Sequence, residues 1–209
     1  MAKLPNKKEN EKSQKALEAY HLALGKVAHA WNHMQENLGV LFCEISGLAD
    51  MMGMGIWHAL KSDRTQRDLL EAALKTRASD EGFGQTFPKA KVDIEWLLKK
   101  VNALADSRNS AVHAPIFALP SEDGGSEILP FTLLQNPNAE KLSEKDILAE
   151  FEWYEGYFTA LRKFAASMAV ALAHERLGFV LGPWPERPLL PTVRQRSGHQ
   201  DRNRQRIPQ

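Results

Sequence analysis

The sequence predicts an all-α fold, a bundle of four or five helices, and three apolar stripes predict it. Leu17, Tyr20, Leu24, Val27, Trp31, Met34, Leu38, Leu41, Ile45 and Leu48 recur at alternating steps of three and four. Sustained spacing of that kind is a heptad seam along one long helix. Ile147, Phe151, Tyr154, Phe158, Leu161, Ala165, Met168 and Leu172 repeat the pattern towards the other end. Ile94, Leu97, Val101 and Leu104 form a shorter stripe between them. Helices with a repeat of roughly 3.5 residues pack side by side at crossings of about +20°, the geometry of a bundle.

Composition narrows the class without naming a task. A chain of 209 residues with 43% hydrophobic and 25% charged residues can bury one proper core. The net charge of +1 argues against wholesale coating by nucleic acid and leaves room for a local basic patch. Cys43 is the one cysteine, which excludes an internal disulfide and a cysteine-based zinc site. The Lys/Glu/Asn-rich start has no apolar core, so it does not read as a secretory signal. No apolar run is long enough to span a bilayer. A cytoplasmic location, without membrane contact, is the expectation.

In chain order, residues 1–14 are lysine-rich, poor in apolar side chains, and expected to be a disordered arm. The helical domain then covers 15–182. Its first helix follows the long seam and is expected to stop at Met51-Met52-Gly53-Met54-Gly55, where glycines break helices and methionines fill irregular space. A second helix is expected over about Ile56 to Leu74, with Leu60, Leu70 and Leu74 inside and Arg64 and Arg67 outside. Gly82 and Gly84 mark a loop. The third helix starts near Pro88-Lys89, since proline is tolerated in a first turn. Around Glu122-Asp123-Gly124-Gly125, residues 116–142 read as a small extended or hairpin insertion. The last helix opens at Ser143-Glu144-Lys145-Asp146, a capping-box variant. Residues 183–209 read as a Pro/Arg-rich disordered tail. Its arginines, Arg187, Arg194, Arg196, Arg202, Arg204 and Arg206, outnumber Glu186 and Asp201, so it suits an acidic surface such as RNA.

Most familiar chemistries are missing. His29 and His33 stand four apart, a zinc-compatible spacing, yet the glutamate of a His-Glu-x-x-His motif and a third ligand are absent. No metal and no cofactor is therefore expected. Gly53-Met54-Gly55 lacks the Lys-Ser/Thr of a phosphate loop, no Gly-x-Ser-x-Gly elbow occurs, and Cys43 sits mid-helix without a base.

One segment stands apart: Arg108-Asn109-Ser110-Ala111-Val112-His113. Steps of three and four carry the third helix's stripe from Leu97 through Val101 and Leu104 onto Arg108, which places a guanidinium where apolar side chains are buried. Burying such a charge unpaired costs several kcal/mol, so partners are expected. Asn102, Asp106, Asn109 and His113 form a second, polar stripe beside it.

An arginine, a polar residue directly after it, and a histidine a few positions on, at the end of an amphipathic helix, resemble the HEPN superfamily (higher eukaryote and prokaryote nucleotide-binding domains). The resemblance covers residues 16–177 in outline and six residues in detail. The pattern also occurs at Arg194 to His199, without helical context. What the resemblance implies is a homodimer whose two Arg/His pairs share a cleft, and metal-independent RNA cleavage by attack of a ribose 2′-OH on the adjacent phosphate. On that reading His113 moves the proton, histidine being the residue type that exchanges protons near neutral pH. Arg108 holds the phosphate and stabilises its growing charge. Asn109 orients the imidazole or the phosphate, with Asp106, Asn102 and Ser110 in support. The family often supplies toxins and phage-defence effectors, which would imply an antitoxin or other partner protein. The alternative is a non-enzymatic dimeric interaction or nucleotide-binding protein that keeps Arg108 and His113 in a buried polar network fixing helix register. A coiled-coil scaffold, suggested by the 17–48 seam alone, is a third reading.

Overall fold

The computed structural model describes residues 7–80, 82–121, 125–133, 135–143, 145–180 and 182–192, and over these the fold is a mostly α bundle with one small hairpin. The first seam folds as α1 (Lys7–Ser46), whose 40 residues make a rod about 60 Å long. Val27, Trp31, Met34, Leu38, Leu41 and Ile45 are all buried along it. Residues 7–14, expected to be disordered, are its first two turns. Local charge does not prevent helix there, because lysine and glutamate are good helix formers.

The break after α1 comes earlier than the glycine-methionine run. Gly47, at φ +67°, takes the left-handed conformation that ends the helix. Met51 to Gly55, expected to interrupt helical structure, lies inside α2 (Asp50–Ala59). Glycine serves close packing here: a Cβ on Gly53 would stand 2.5 Å from Cys43 Sγ, and one on Gly39 would stand 2.9 Å from the Trp57 ring. The single second helix expected over 56–74 is in fact two. Leu60 is extended, and Ser62 opens α3 (Asp63–Arg77) by accepting the Thr65 amide at 3.1 Å.

A short turn of helix, α4 (Phe83–Thr86), precedes α5 (Ala90–His113), whose expected stripe Ile94, Leu97, Val101 and Leu104 is buried. The insertion is an antiparallel hairpin, β1 (Ile116–Pro120) and β2 (Ser126–Pro130), with Ala118 opposite Ile128. It packs on the N-terminal part of α1, where Ser13 and Ser126 hydroxyls meet at 3.2 Å. After α6 (Pro137–Glu140), α7 (Ile147–Leu177) carries the second seam, every residue of which is buried. Its cap is Asp146 rather than Ser143: the carboxylate accepts the Ala149 amide at 3.1 Å.

The core lies mainly between α1 and α7, and these run parallel. Tyr20 meets Phe151, Trp31 meets Phe158, and Arg176 grips both carboxylate oxygens of Glu44. The sequence separation of partners therefore stays nearly constant, 129 for His33–Arg162 and 132 for Glu44–Arg176. Against α7, α5 is antiparallel, since Trp96 packs on Phe164 while the later Ser107 meets the earlier Tyr154.

The expected tail needs correction as well. Residues 183–192 lie across the bundle as an extended strap. Trp184 donates from Nε1 to Asp93 Oδ2 at 2.8 Å, Arg187 pairs with the same carboxylate, and Pro191 accepts a bond from Trp153 Nε1 at 2.8 Å. Trp184 also packs on Phe87, and the Arg187 guanidinium lies over Trp96. Tryptophan and a buried acid give this proline-rich run the anchorage that periodicity alone does not reveal. The other tail arginines, and the Arg194–His199 pattern, lie outside the described residues.

Candidate functional site

The α5 stripe carries Arg108 to the edge of the core, where its Nε is buried. Its guanidinium carbon lies 5.2 Å from the centre of the Trp31 ring, a cation–π contact, and Arg108 is half-buried. Nη1 donates to Asn109 Oδ1 at 2.9 Å, whereas Nε is buried and without a partner. Among the described residues, no carboxylate forms an ion pair with Arg108.

A second arginine stands on the same indole. Arg67 of α3, expected on the outside, is only 4% exposed, with its guanidinium carbon 5.6 Å from the Trp31 ring centre. Arg67 Nε donates to Asn102 Oδ1 at 2.6 Å, and Nη1 is buried without a partner. Trp31, 1% exposed, is fixed in turn by Asp63, whose Oδ2 accepts from its Nε1 at 2.7 Å. Burial lowers the Arg67 pKa from its usual value. Asp63 and Asp68 oppose that shift, while Arg64 and Arg108 add to it. Arginine stays charged regardless, so the cluster holds two fixed positive charges.

The sequence offered a signal for Arg67 that went unused. Leu70 and Leu74 form the buried stripe of α3, and one step of three back from Leu70 reaches Arg67. The rule that places Arg108 inside places Arg67 inside too.

The remaining candidates divide. Asn102, Asp106, Asn109 and His113 line the exposed side of α5 and do not form the buried network of the alternative reading. Asn102 holds Arg67, Asn109 holds Arg108, and His113 is the exposed last residue of the helix. Arg108 and His113, five positions apart, project about 140° from each other around α5. Ser110 is 2% exposed, and its hydroxyl donates to the Asp106 carbonyl at 2.9 Å, a bond internal to the helix.

Asp106 and Ser110 instead line a neighbouring cleft of about 350 Å³ with Ser107, Lys141, Lys145 and Tyr154. Tyr154 donates to Glu150 Oε1 at 2.7 Å, and the Lys145 ammonium bonds the same oxygen. Burial, then the Glu150 carboxylate, pushes the Tyr154 phenol well above its usual pKa.

Other reactive groups offer less. The His29 and His33 rings meet at a tilt of 48° with centroids 4.2 Å apart, and among the described residues no three side chains form a metal-binding group. Cys43 is buried, and burial, reinforced by Asp50 and Glu44, raises its thiol pKa and keeps it protonated. Among the described residues, no helix is long and apolar enough to cross a membrane.

Comparisons with protein-family models, with curated proteins and with solved structures return no match to this chain.

Proposed function

We propose that this protein binds an RNA phosphodiester at the C-terminal end of α5 and cleaves it, without a metal, as a HEPN-type endoribonuclease of the toxin or phage-defence kind. The observation that carries the reading is Arg108 itself. A guanidinium carried inward by an apolar stripe, braced by Trp31 and Asn109 yet paired with no described carboxylate, is suited to an external anion. The ribose 2′-OH attacks the neighbouring phosphorus as His113 takes its proton. The P–O5′ bond then breaks, with a proton returned to the leaving 5′ oxygen, giving a 2′,3′-cyclic phosphate. Arg108 neutralises charge on the non-bridging oxygens in the transition state.

The angle between Arg108 and His113 bears on assembly. Because they project about 140° apart on one helix, one chain's pair does not close on a single phosphate from one side. A two-fold pairing of α5 ends would set Arg108 of one protomer beside His113 of its partner, so the reading takes a homodimer as the working unit.

Purified protein incubated with diverse RNAs tests this. Arg108→Ala and His113→Ala each reduce cleavage by on the order of 10²–10³-fold while leaving helix content unchanged. Arg108→Lys recovers little, because an ammonium lacks the bidentate fork. Cleavage persists in EDTA and stops when the target ribose is replaced by deoxyribose. Arg194→Ala and His199→Ala, which share the motif's spacing, leave the rate unchanged. Intact RNA after exposure to wild-type protein refutes the nuclease reading. The non-enzymatic dimeric interaction or nucleotide-binding alternative then takes its place.

A further inference from the structure

Two guanidiniums share one indole, and each leaves a buried N–H unmet: Nη1 of Arg67 and Nε of Arg108. Such an arrangement is costly as it stands. Each unsatisfied buried donor of a charged group costs on the scale of a lost charge-assisted hydrogen bond, and like charges brought together in a poorly solvated place repel. Neither residue can discharge itself by losing a proton. Asp63 and Asp68 offset part of the charge on Arg67, but among the described residues neither forms an ion pair with Arg67 or Arg108, and Asp63 Oδ2 is engaged by the Trp31 indole. The cluster therefore has two fixed cations that no described carboxylate pairs with directly, and donors left over.

We propose that Arg67 and Arg108 together form a two-arginine seat for one phosphate or pyrophosphate group, with Arg67 the inner and Arg108 the outer contact. The proposal rests on the reading of Arg108 as a phosphate-holding residue and extends it to a residue on another helix. Arg67 stands 41 positions before Arg108 and belongs to α3, so the motif on α5 does not predict it. Asn102 holds the inner fork: its Oδ1 takes Arg67 Nε and leaves the Nη edge for the ligand. Trp31 forms the rigid floor, anchored through Asp63. The anion supplies what the fold lacks, an acceptor for both orphaned donors and a counter-charge for both cations. Phosphate fits this better than a carboxylate because it presents three or more oxygens to two forks at once.

The test is thermal unfolding in sodium pyrophosphate against sodium chloride of equal ionic strength, alongside RNA cleavage. Wild-type protein unfolds at a higher temperature in pyrophosphate, by the mass-action stabilisation of a ligand that binds the native state. Arg67→Met binds pyrophosphate about tenfold or more weakly and raises KM for RNA. Should that variant fail to fold, Asn102→Asp carries the test. It places a carboxylate on Arg67 Nε, so it supplies the missing counter-charge internally. It unfolds at a higher temperature than wild type in chloride and loses most of the response to pyrophosphate. An Asn102→Asp protein that responds to pyrophosphate as wild type does overturns the proposal, as does a wild type that shows no response. The two readings fail separately. RNA cleavage that persists with unchanged KM in Asn102→Asp sinks the two-arginine seat and leaves the nuclease standing. A pyrophosphate response lost in Asn102→Asp, in a protein that leaves RNA intact, supports the seat and sinks the nuclease.

Discussion

The chain's three tyrosines, Tyr20, Tyr154 and Tyr157, are all buried, at 4%, 1% and 8% exposure. Burial raises all three phenols above the usual value of 10.0, and at Tyr154 Glu150 raises it further. A group whose pKa is raised by folding contributes stability that is complete below its unfolded value and is lost as pH climbs through the folded one. Stability is therefore predicted to fall above about pH 10, and tyrosinate absorbance should appear together with the loss of helical circular dichroism. Absorbance that rises while the helices persist would contradict these burials. His113 gives the opposite expectation: it is exposed, so His113→Ala should shift stability by no more than about 0.5 kcal/mol in denaturant unfolding. A loss of several kcal/mol would return it to a structural network. Gly53→Ala should cost about 1–3 kcal/mol by the same measurement, because its methyl group meets Cys43 Sγ. At this scale the sequence was legible where one rule was followed through. Stripe spacing placed Arg108, and the same spacing would have placed Arg67. The indole that joins them was not legible, since Trp31 reads as one more seam residue until three helices meet on it.

Among the elements, the strap over 183–192 shows how an irregular segment acquires a fixed place. Asp93 is 4% exposed and takes both a tryptophan N–H and an arginine from it. Ending the chain after residue 182 would strip that carboxylate of both partners, the indole that packs beside it included, at a cost of about 1–3 kcal/mol in unfolding free energy. If Asp93→Ala in the full chain and the truncation destabilise equally, and the double change adds nothing, the strap acts through this acid; additive losses would show that it acts elsewhere. The three long periodic helices and the hairpin were legible because each follows from a local spacing or a turn signal. The segment from Gly47 to Ser62 was not. There glycine acts through close packing of α2 on α1, at Gly39 and Gly53, and no local rule distinguishes that from a helix break. The strap escaped for a related reason: its anchorage on Asp93 comes from a partner about ninety residues away, 91 for Trp184–Asp93 and 94 for Arg187–Asp93.

For the molecule as a whole, the bundle class followed from two seams of matching period, whereas their relative direction did not. Amphipathic stripes specify that helices pack and leave open which way they run. Parallel α1 and α7 put the chain's two largest apolar faces together across some 130 residues, as the His33–Arg162 and Glu44–Arg176 partners show. Synthesis at about 5–20 residues per second takes roughly 6–26 seconds to cover that distance. Throughout that interval the face of α1 that meets α7 stays uncovered, since the helix that covers it has not been made. Contacts this distant in sequence also form slowly once the chain is free. The nascent protein is thus at its most adhesive early in translation, when a second nascent copy on the same message offers the same uncovered face at close range.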